Sequence, residues 1–170
     1  MLDMSARKDF GEELNLFRDS VRKLFDQHLV PNLERYEAEG IVDREFWLAC
    51  GEGGLLCPTI PEEYGGLGLD FSFNAVVNEE MCYAGSSAGL TLHSDIVADY
   101  ILAYGSEGQK QRFLPKLVSG ECITAIAMTE PGAGSDLQGV RTTAIRDGDS
   151  YLVNGSKTYI TNGQNADLVL

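Results

Sequence analysis

The chain of 170 residues is long enough for one domain, or for one domain and part of a second. Its 26 acidic and 13 basic residues give a formal net charge of −13, which argues against a nucleic-acid partner and against adsorption to an anionic membrane surface. No apolar run approaches the roughly 18 residues of a membrane span, and the opening MLDMSARKDFGEEL lacks the apolar segment of a secretory signal and is too acidic for a transit peptide.

The cysteines and histidines limit the chemistry of the chain further. With only His28 and His93 available, we expect no transition-metal site. The cysteines lie far apart without a C-x-x-C pair, which indicates buried, reduced thiols in a cytoplasm-like compartment. These cysteines are Cys50, Cys57, Cys82 and Cys122.

From Asp9 to about Ser119 the apolar residues recur with the period of helices. The first helix is expected to end near His28 or to be interrupted at Pro31, because proline lacks the N–H that a helix interior needs. The apolar face of this helix consists of Leu14, Phe17, Val21, Leu24 and Phe25.

Two further helices flank an irregular connection. Asp43 is a suitable N-cap for the helix that carries Phe46 and Trp47, and the glycine-rich residues 51–54 end it. The stretch CPTIPEEYGGLGLD has too many prolines and glycines for regular structure. The next helix is predicted over Phe71–Tyr83, with its buried face formed by Phe73, Val76, Val77 and Met81.

The last two helices follow the sequence GSSAG. One is expected to end at Gly105, and the other begins at the N-cap Ser106 and is kinked at Pro115. Short connections between these helices predict an antiparallel bundle. The apolar stripe expected on the first of the two is Leu92, Ile96, Val97, Tyr100, Ile101 and Tyr104.

After Gly120 the period changes to that of strands. The segments CITAIAMT, VRTTAIR, SYLVN, KTYIT and ADLVL are short and rich in β-branched residues. Three turn signals, Asp147-Gly148, Asn154-Gly155 and Asn162-Gly163, favour hairpins between them. The sequence therefore predicts an α+β fold, with a helical domain over residues 1–120 and the beginning of an antiparallel β-domain over residues 121–170.

The sequence reaches Leu170 within an apolar strand. A strand at this position would leave one edge and one apolar face without a cover. We therefore expect that the chain is a fragment, or that it pairs with something outside itself.

The stretch AMTEPGAGSD, residues 127–136, follows the first strand and resembles a phosphate-binding loop only superficially. Gly132 and Gly134 lack the third glycine and the following helix of a dinucleotide fingerprint, and no Lys-Ser/Thr pair supports a P-loop. A flavin ring is the alternative, because it needs hydrogen-bonding groups in a plane and an aromatic wall. Thr129, Ser135, Tyr159 and Thr161 could supply these groups, although hydroxyls beside turns are also common turn formers.

Two motifs, AMTEPGAGSDLQGVRTTA and VNGSKTYITNG, closely resemble the flavin-binding region of acyl-CoA dehydrogenases. PEEYGGLG and YGSEGQKQRFLPKLVSGE resemble the N-terminal domain of the same family, and the stretch HSDIVADYI is most similar to its long-chain branch. The resemblance covers nearly the whole chain. It implies FAD as the cofactor, bound by Ile126, Ala127, Met128, Thr129, Gly134, Ser135, Tyr159, Ile160 and Thr161.

Individual roles follow from the same resemblance. Thr129 corresponds to a hydrogen-bonding partner of the flavin pyrimidine, and Ser135 also to a contact of the acyl-CoA pantetheine arm. Thr161 corresponds to a residue near flavin N5. Tyr159 stands where many members have tryptophan, and a phenol ring there could shift the potential or spectrum of the flavin.

The implied reaction is α,β-dehydrogenation of an acyl-CoA thioester in fatty acid β-oxidation, with transfer of hydride to the flavin and of electrons to an electron-transfer flavoprotein. The family's catalytic glutamate lies in a C-terminal helical domain that this sequence lacks, so we expect no catalytic residue in this chain. Glu130 is expected to be structural. Members are homo-oligomers, tetrameric at full length, located in the bacterial cytoplasm or the mitochondrial matrix.

Two other functions remain open at this stage. A related flavin-dependent acyl-CoA oxidase would return its electrons to oxygen. A truncated, non-catalytic paralogue would act as a binding or dimerising module. Outside the flavin motifs, we expect His93 to be a surface histidine or a hydrogen-bonded structural one rather than an acid-base residue, and Leu92 and Ile96 to belong to the core.

Overall fold

The computed structural model describes residues 11–170 of the chain. The first two residues of the predicted helical region and most of the opening stretch discussed above lie outside the described residues. Within the described part, the predicted α+β class with a helical first portion is confirmed.

The helical part of the molecule, residues 11–118, contains the helices that the periodicity predicts. Pro31 lies in a short 3-10 turn between the first two, as expected from its missing N–H. The α-helices are α1 Glu12–His28, α2 Leu33–Glu39, α3 Arg44–Glu52, α4 Phe71–Tyr83, α5 Ala98–Tyr104 and α6 Glu107–Val118.

One apolar core holds these helices together. Trp47 of α3 is completely buried and belongs to the same apolar cluster as Phe25 of α1 and Leu114 of α6. The four residues that were predicted to form the inner face of α4 are all buried. A buried carboxylate also joins α4 to α1, because Glu80 accepts hydrogen bonds from Arg18 at 2.8 Å and from Arg22 at 2.9 Å.

The capping predictions have different outcomes. Ser106 forms a complete capping box with Gln109 at the start of α6, and this helix continues through Pro115. Asp43 precedes α3 as predicted, but its side chain makes no capping bond. Its carboxylate binds the guanidinium of Arg35 instead, because this charged donor competes with the helix N–H groups.

The stripe predicted for the helix that starts at Leu92 is only partly correct. Residues Leu92–Val97 form a π-helical turn that continues directly into α5. A π turn inserts an extra residue and so rotates the following residues relative to an α-helical pattern. As a result Val97 and Ile101 are buried, whereas Ile96, Tyr100 and Tyr104 are exposed, so the expectation that Ile96 belongs to the core is wrong.

The strand part of the molecule, residues 121–170, differs more from the prediction. The Asp147-Gly148 hairpin is confirmed, since β2 and β3 pair antiparallel with Ile145 opposite Leu152. β1 and β4 pair in parallel, however, so the expectation of a purely antiparallel sheet is wrong for this pair. The strands are β1 Thr124–Ala125, β2 Thr143–Asp147, β3 Ser150–Asn154 and β4 Leu168–Val169.

The connection between β1 and β4 explains the parallel pairing. A parallel pair requires a long crossover, and residues 126–167 provide it with the β2–β3 hairpin inside. The hairpins predicted at Asn154-Gly155 and Asn162-Gly163 do not form, and the predicted strand KTYIT is an irregular segment. A regular strand is prevented by the positive φ angles of Tyr159 within this segment and of Asn162 directly after it.

Buried and polar contacts join the two parts of the molecule. His93 is fully buried and bonds the carbonyl of Leu117 at 3.0 Å through Nε2 and the hydroxyl of Thr124 at 2.9 Å through Nδ1. Since a carbonyl only accepts, Nε2 carries the proton and Thr124 donates to Nδ1. This confirms His93 as a hydrogen-bonded structural residue, and it fixes β1 against the helices.

Candidate functional site

The first segment of the candidate site, residues 126–135, leaves β1 and ends in a tight turn. The N–H of Ala127 donates to the carbonyl of Leu170 at 2.7 Å, which extends the pairing with β4. Glu130 and Ala133 then exchange backbone hydrogen bonds of 2.8 and 3.1 Å, which close the turn around Gly132. The following Ser135 is exposed.

The carboxylate of Glu130 accepts three hydrogen bonds from groups around this turn. It accepts hydrogen bonds from the N–H groups of Arg141 at 2.7 Å and Thr142 at 2.9 Å, and from Lys157 Nζ at 2.9 Å. Hydrogen bonding from Thr142, from the backbone of Arg141 and from Lys157 lowers the pKa of this carboxyl to about 2. Such a group is a poor proton acceptor near neutral pH, as expected for a structural acid.

Lys157 and Thr158 bring the second segment of the site against the first. Lys157 Nζ donates to the carbonyl of Met128 at 3.1 Å as well as to Glu130. The N–H of Thr158 donates to the carbonyl of Thr129 at 3.0 Å. The structure therefore brings together the two sequence segments that contain all the predicted flavin contacts.

The three residues Tyr159–Thr161 form an arc beyond this contact, which we call the arc. Tyr159 has a φ of 56°, and its side chain is 93% exposed. Thr161 is exposed and Ile160 is half-buried. Ile160 and Thr161 also line a cavity of about 320 Å³ together with Ser86, Ser87 and Tyr36 of the helical part.

The groups on this surface suit the ring end of a flavin. An exposed aromatic ring and the exposed thioether of Met128 offer flat apolar contacts, and the hydroxyls of Thr129, Ser135 and Thr161 offer hydrogen bonds. Holding a bulky aromatic residue at positive φ costs free energy, and such strain is concentrated at binding sites.

Two other kinds of site receive no support from the described part of the chain. Within residues 11–170, no group of three or more His, Cys, Asp or Glu side chains is placed to hold a metal ion. Over the same residues, every helix is too short or too polar to cross a bilayer.

Family models account for nearly all of the described residues. The acyl-CoA dehydrogenase N-terminal domain matches residues 11–121, and the acyl-CoA dehydrogenase middle domain matches residues 125–170. The chain belongs to the acyl-CoA dehydrogenase family. The resemblance of the two flavin motifs to this family is thereby confirmed.

Individual acyl-CoA dehydrogenases are similar over the whole chain. The mitochondrial long-chain specific acyl-CoA dehydrogenase of Sus scrofa is 48% identical over 171 residues, which cover 100% of this chain and 40% of that protein. The crystal structure of an acyl-CoA dehydrogenase from Geobacillus kaustophilus is 52% identical, with a TM-score of 0.91 over 96% of this chain and 43% of the other.

A third relative carries the cofactor. The acyl-CoA dehydrogenase of Bacillus anthracis, solved in complex with FAD, is 34% identical with a TM-score of 0.88, over 96% of this chain and 29% of the other. The chain thus spans about 40% of the length of the curated long-chain relatives that it matches.

Sequence reasoning missed several residues that shape the site of this acyl-CoA dehydrogenase family member. Lys157 joins the two segments, and Asn162 ties the arc to Gly89 of the helical part. Gly89, the second glycine of GSSAG, was noted only as part of a connection. Its neighbour in space, Asn162, was interpreted only as a hairpin signal, so the contact between two turn residues 73 positions apart had no signal in a single sequence.

Proposed function

We propose that this chain is the N-terminal part of an FAD-dependent acyl-CoA dehydrogenase that catalyses α,β-dehydrogenation of acyl-CoA thioesters. In this proposal residues 1–120 form the N-terminal helical domain and residues 121–170 begin the β-domain. The observation that carries it is the contact of two family motifs, where Lys157 and Thr158 hold the arc beside Met128 and Thr129.

The residues at this contact have separate proposed roles. The backbone of residues 126–129 and the hydroxyl of Thr129 would bind the pyrimidine side of the flavin. Tyr159 would cover a face of the ring, and Thr161 would lie near its N5 position. Ser135, together with the adjacent Gly134, is exposed after the turn and would bind both the flavin and the pantetheine arm of the substrate.

Bound FAD would supply the two-electron acceptor of the reaction. The proton on the substrate α-carbon requires a carboxylate base, and we place this base outside the 170 residues. Glu130 is unsuited to it because three donors already occupy its oxygens. The part of the site formed here therefore binds and orients, and we expect this stretch alone to be inactive.

The remaining partners of the proposed enzyme follow from its family. An electron-transfer flavoprotein would reoxidise the reduced cofactor, and the complete protein would form a homotetramer. The similar mammalian proteins are mitochondrial by name, so a eukaryotic source would place the protein in the matrix and a bacterial source in the cytoplasm.

Titration with FAD followed by anaerobic addition of acyl-CoA tests the proposal on the complete protein. We expect bound flavin that is bleached by acyl-CoA thioesters and reoxidised by an electron-transfer flavoprotein. Rapid reoxidation by oxygen, with matching oxygen consumption, would show an oxidase instead. A folded protein that binds no flavin would show the non-catalytic module.

Two hydroxyl deletions test the assigned surface directly. Thr129→Val and Thr161→Val should each weaken FAD binding about fivefold to tenfold, the worth of one hydrogen bond. Thr143→Val is the control, because Thr143 is a threonine of the strand part that is exposed like Thr161 but lies in the β2–β3 hairpin. Equal affinities in all three variants would contradict the assignment of the flavin surface.

A further inference from the structure

The arc Tyr159–Thr161 is fixed at its two ends by different kinds of bond. At the front, the backbone N–H of Thr158 donates to the carbonyl of Thr129 at 3.0 Å. At the back, the side chain of Asn162 makes the connection. The front bond needs only backbone atoms, whereas the back depends on the identity of one side chain.

Asn162 uses one amide group to join three parts of the molecule. Its Nδ2 donates to the carbonyl of Gly89 at 3.2 Å and to the carbonyl of Thr124 at 3.0 Å. Gly89 precedes the π-helical turn of the helical part, and Thr124 belongs to β1. Both hydrogens of the amide are thereby used, and the end of the arc is held at a fixed place relative to both.

The two carbonyls that receive this amide are themselves held in place. Thr124 is fully buried, and its hydroxyl donates to the buried His93. Gly89 has a φ of +74°, and a Cβ atom built on it would lie 2.2 Å from Oδ1 of Asn162. Only glycine permits both this backbone conformation and this close approach.

The backbone of Asn162 also stabilises the end of the arc. Its φ of 63° lies in the left-handed region, which asparagine tolerates better than most residues. Its carbonyl accepts hydrogen bonds from the N–H groups of Asn165 at 3.1 Å and Ala166 at 2.9 Å. The side chain and the backbone of one residue therefore close the arc together.

We propose that Asn162 is a positioning residue for the flavin surface, acting through Tyr159 and Thr161 without contacting the reacting atoms. The identity of the ligand rests on the proposed function, while the ordering of the arc does not. Without the amide, the arc spends only a fraction of its time in the binding conformation. The apparent dissociation constant for FAD rises by the inverse of that fraction.

Asn165 supplies a matched control in the same loop. Its Nδ2 also donates to a carbonyl of the helical part, that of Val42 at 3.1 Å, and it is also half-buried. Asn162→Asp and Asn165→Asp each replace one amide by a carboxylate that cannot donate these bonds. Both variants should lower the melting temperature, but only the first loosens the arc.

Hydrogen exchange of the flavin-free protein and FAD titration give the two readouts. For Asn162→Asp we expect exchange of the Gly163 amide, which donates to the carbonyl of Ile160 in the arc at 2.9 Å, to be about tenfold faster, and FAD binding to be about tenfold weaker. For Asn165→Asp both should stay within about twofold of the parent protein. Equal effects of the two substitutions on exchange in the arc would overturn the positioning role.

Asn162→Gly keeps the experiment decisive if the aspartate variant does not fold. Glycine tolerates the left-handed backbone but has no amide, so loosened exchange is still expected, and parent-like exchange would refute the role of the amide. Gly89→Ala should loosen the arc from the opposite side. If the parent protein binds no FAD at all, the proposed function fails, and the exchange comparison still decides the role of Asn162.

Discussion

The helical part and the strand part of this molecule are held together in different ways. The helices bury large apolar side chains such as Trp47, Phe25 and Leu114 in a continuous core. In the strand part, β1 is buried, whereas every residue of the paired strands β2 and β3 is exposed. The candidate site lies in the part with the less buried surface.

Because of this difference, the stability of the fold and the placement of the candidate site depend on different kinds of interaction. Apolar burial is non-directional and supplies most of the free energy of folding. The site segments are placed by directional bonds instead, through Glu130 with Lys157 at one end and Asn162 at the other. Each such bond contributes only about 1 kcal/mol, so the site needs the helical part as its rigid support.

Replacing one leucine by alanine in each part should give the largest expected difference in the free energy of unfolding. Leu114→Ala removes a fully buried side chain and should lower the free energy of unfolding by about 2–5 kcal/mol. Leu152→Ala removes a side chain that is 57% exposed and lies opposite Ile145 in the hairpin, so the loss should stay below about 1 kcal/mol. Urea denaturation followed by circular dichroism measures both.

The slope of these denaturation curves serves as the control. It should be the same in the two variants if both unfold from the same native surface. Similar losses of stability for Leu114→Ala and Leu152→Ala would mean that the hairpin is covered in the protein in solution.

The junction between the two parts should be sensitive to acid through His93. Burial lowers the pKa of His93 to about 4, against about 6.5 when unfolded. The unfolded chain therefore binds the proton more readily between these values, and the stability that is complete above pH 6.5 is lost as the pH falls toward 4. The loss reaches about 3 kcal/mol.

Comparison with a variant isolates this effect from the other titrating groups. His93→Gln can still donate to the carbonyl of Leu117 but does not titrate. It should be less stable at pH 7.5 and show a flatter dependence of the free energy of unfolding between pH 6.5 and 4. Parallel curves for the two proteins would contradict the assignment of the neutral, buried imidazole.

Features of the fold could be predicted from the sequence where the residues that determine them lie close together in the chain. α4 was predicted with its bounds and its buried face, because the apolar spacing that determines both lies within the helix itself. The turn at Gly148 was predicted for the same reason. The two flavin motifs could be recognised because they are continuous stretches of sequence.

The contacts that arrange those motifs were not predictable from local pattern. The parallel pairing of β1 with β4 joins residues such as Thr124 and Leu168, and the amide of Asn162 reaches Gly89 across 73 positions. The π turn was missed as well, because its extra residue changes no composition and appears only as a rotation of the stripe that leaves Tyr100 and Tyr104 exposed. Contacts of this kind, between residues far apart in the sequence, determine how the site is arranged.

The smallest expected effect tests a surface bond between the parts. Arg44 of α3 binds both carboxylate oxygens of Asp167, at 3.0 and 2.9 Å, and Asp167 also accepts the N–H of Ile123 at 2.8 Å. Because the pair is partly exposed, Arg44→Ala should cost about 1 kcal/mol or less.

Hydrogen exchange shows in which part of the molecule Arg44→Ala reduces the stability. Exchange of the amides of Ile123, Asp167 and Leu168 should become faster in Arg44→Ala, since their mutual bonds depend on this contact. Arg35→Ala is the matched control, because Arg35 pairs with Glu39 and Asp43 entirely within the helical part. If Arg35→Ala loosens β4 as much as Arg44→Ala does, the strand part is held by the overall stability of the helices rather than by its own polar contacts.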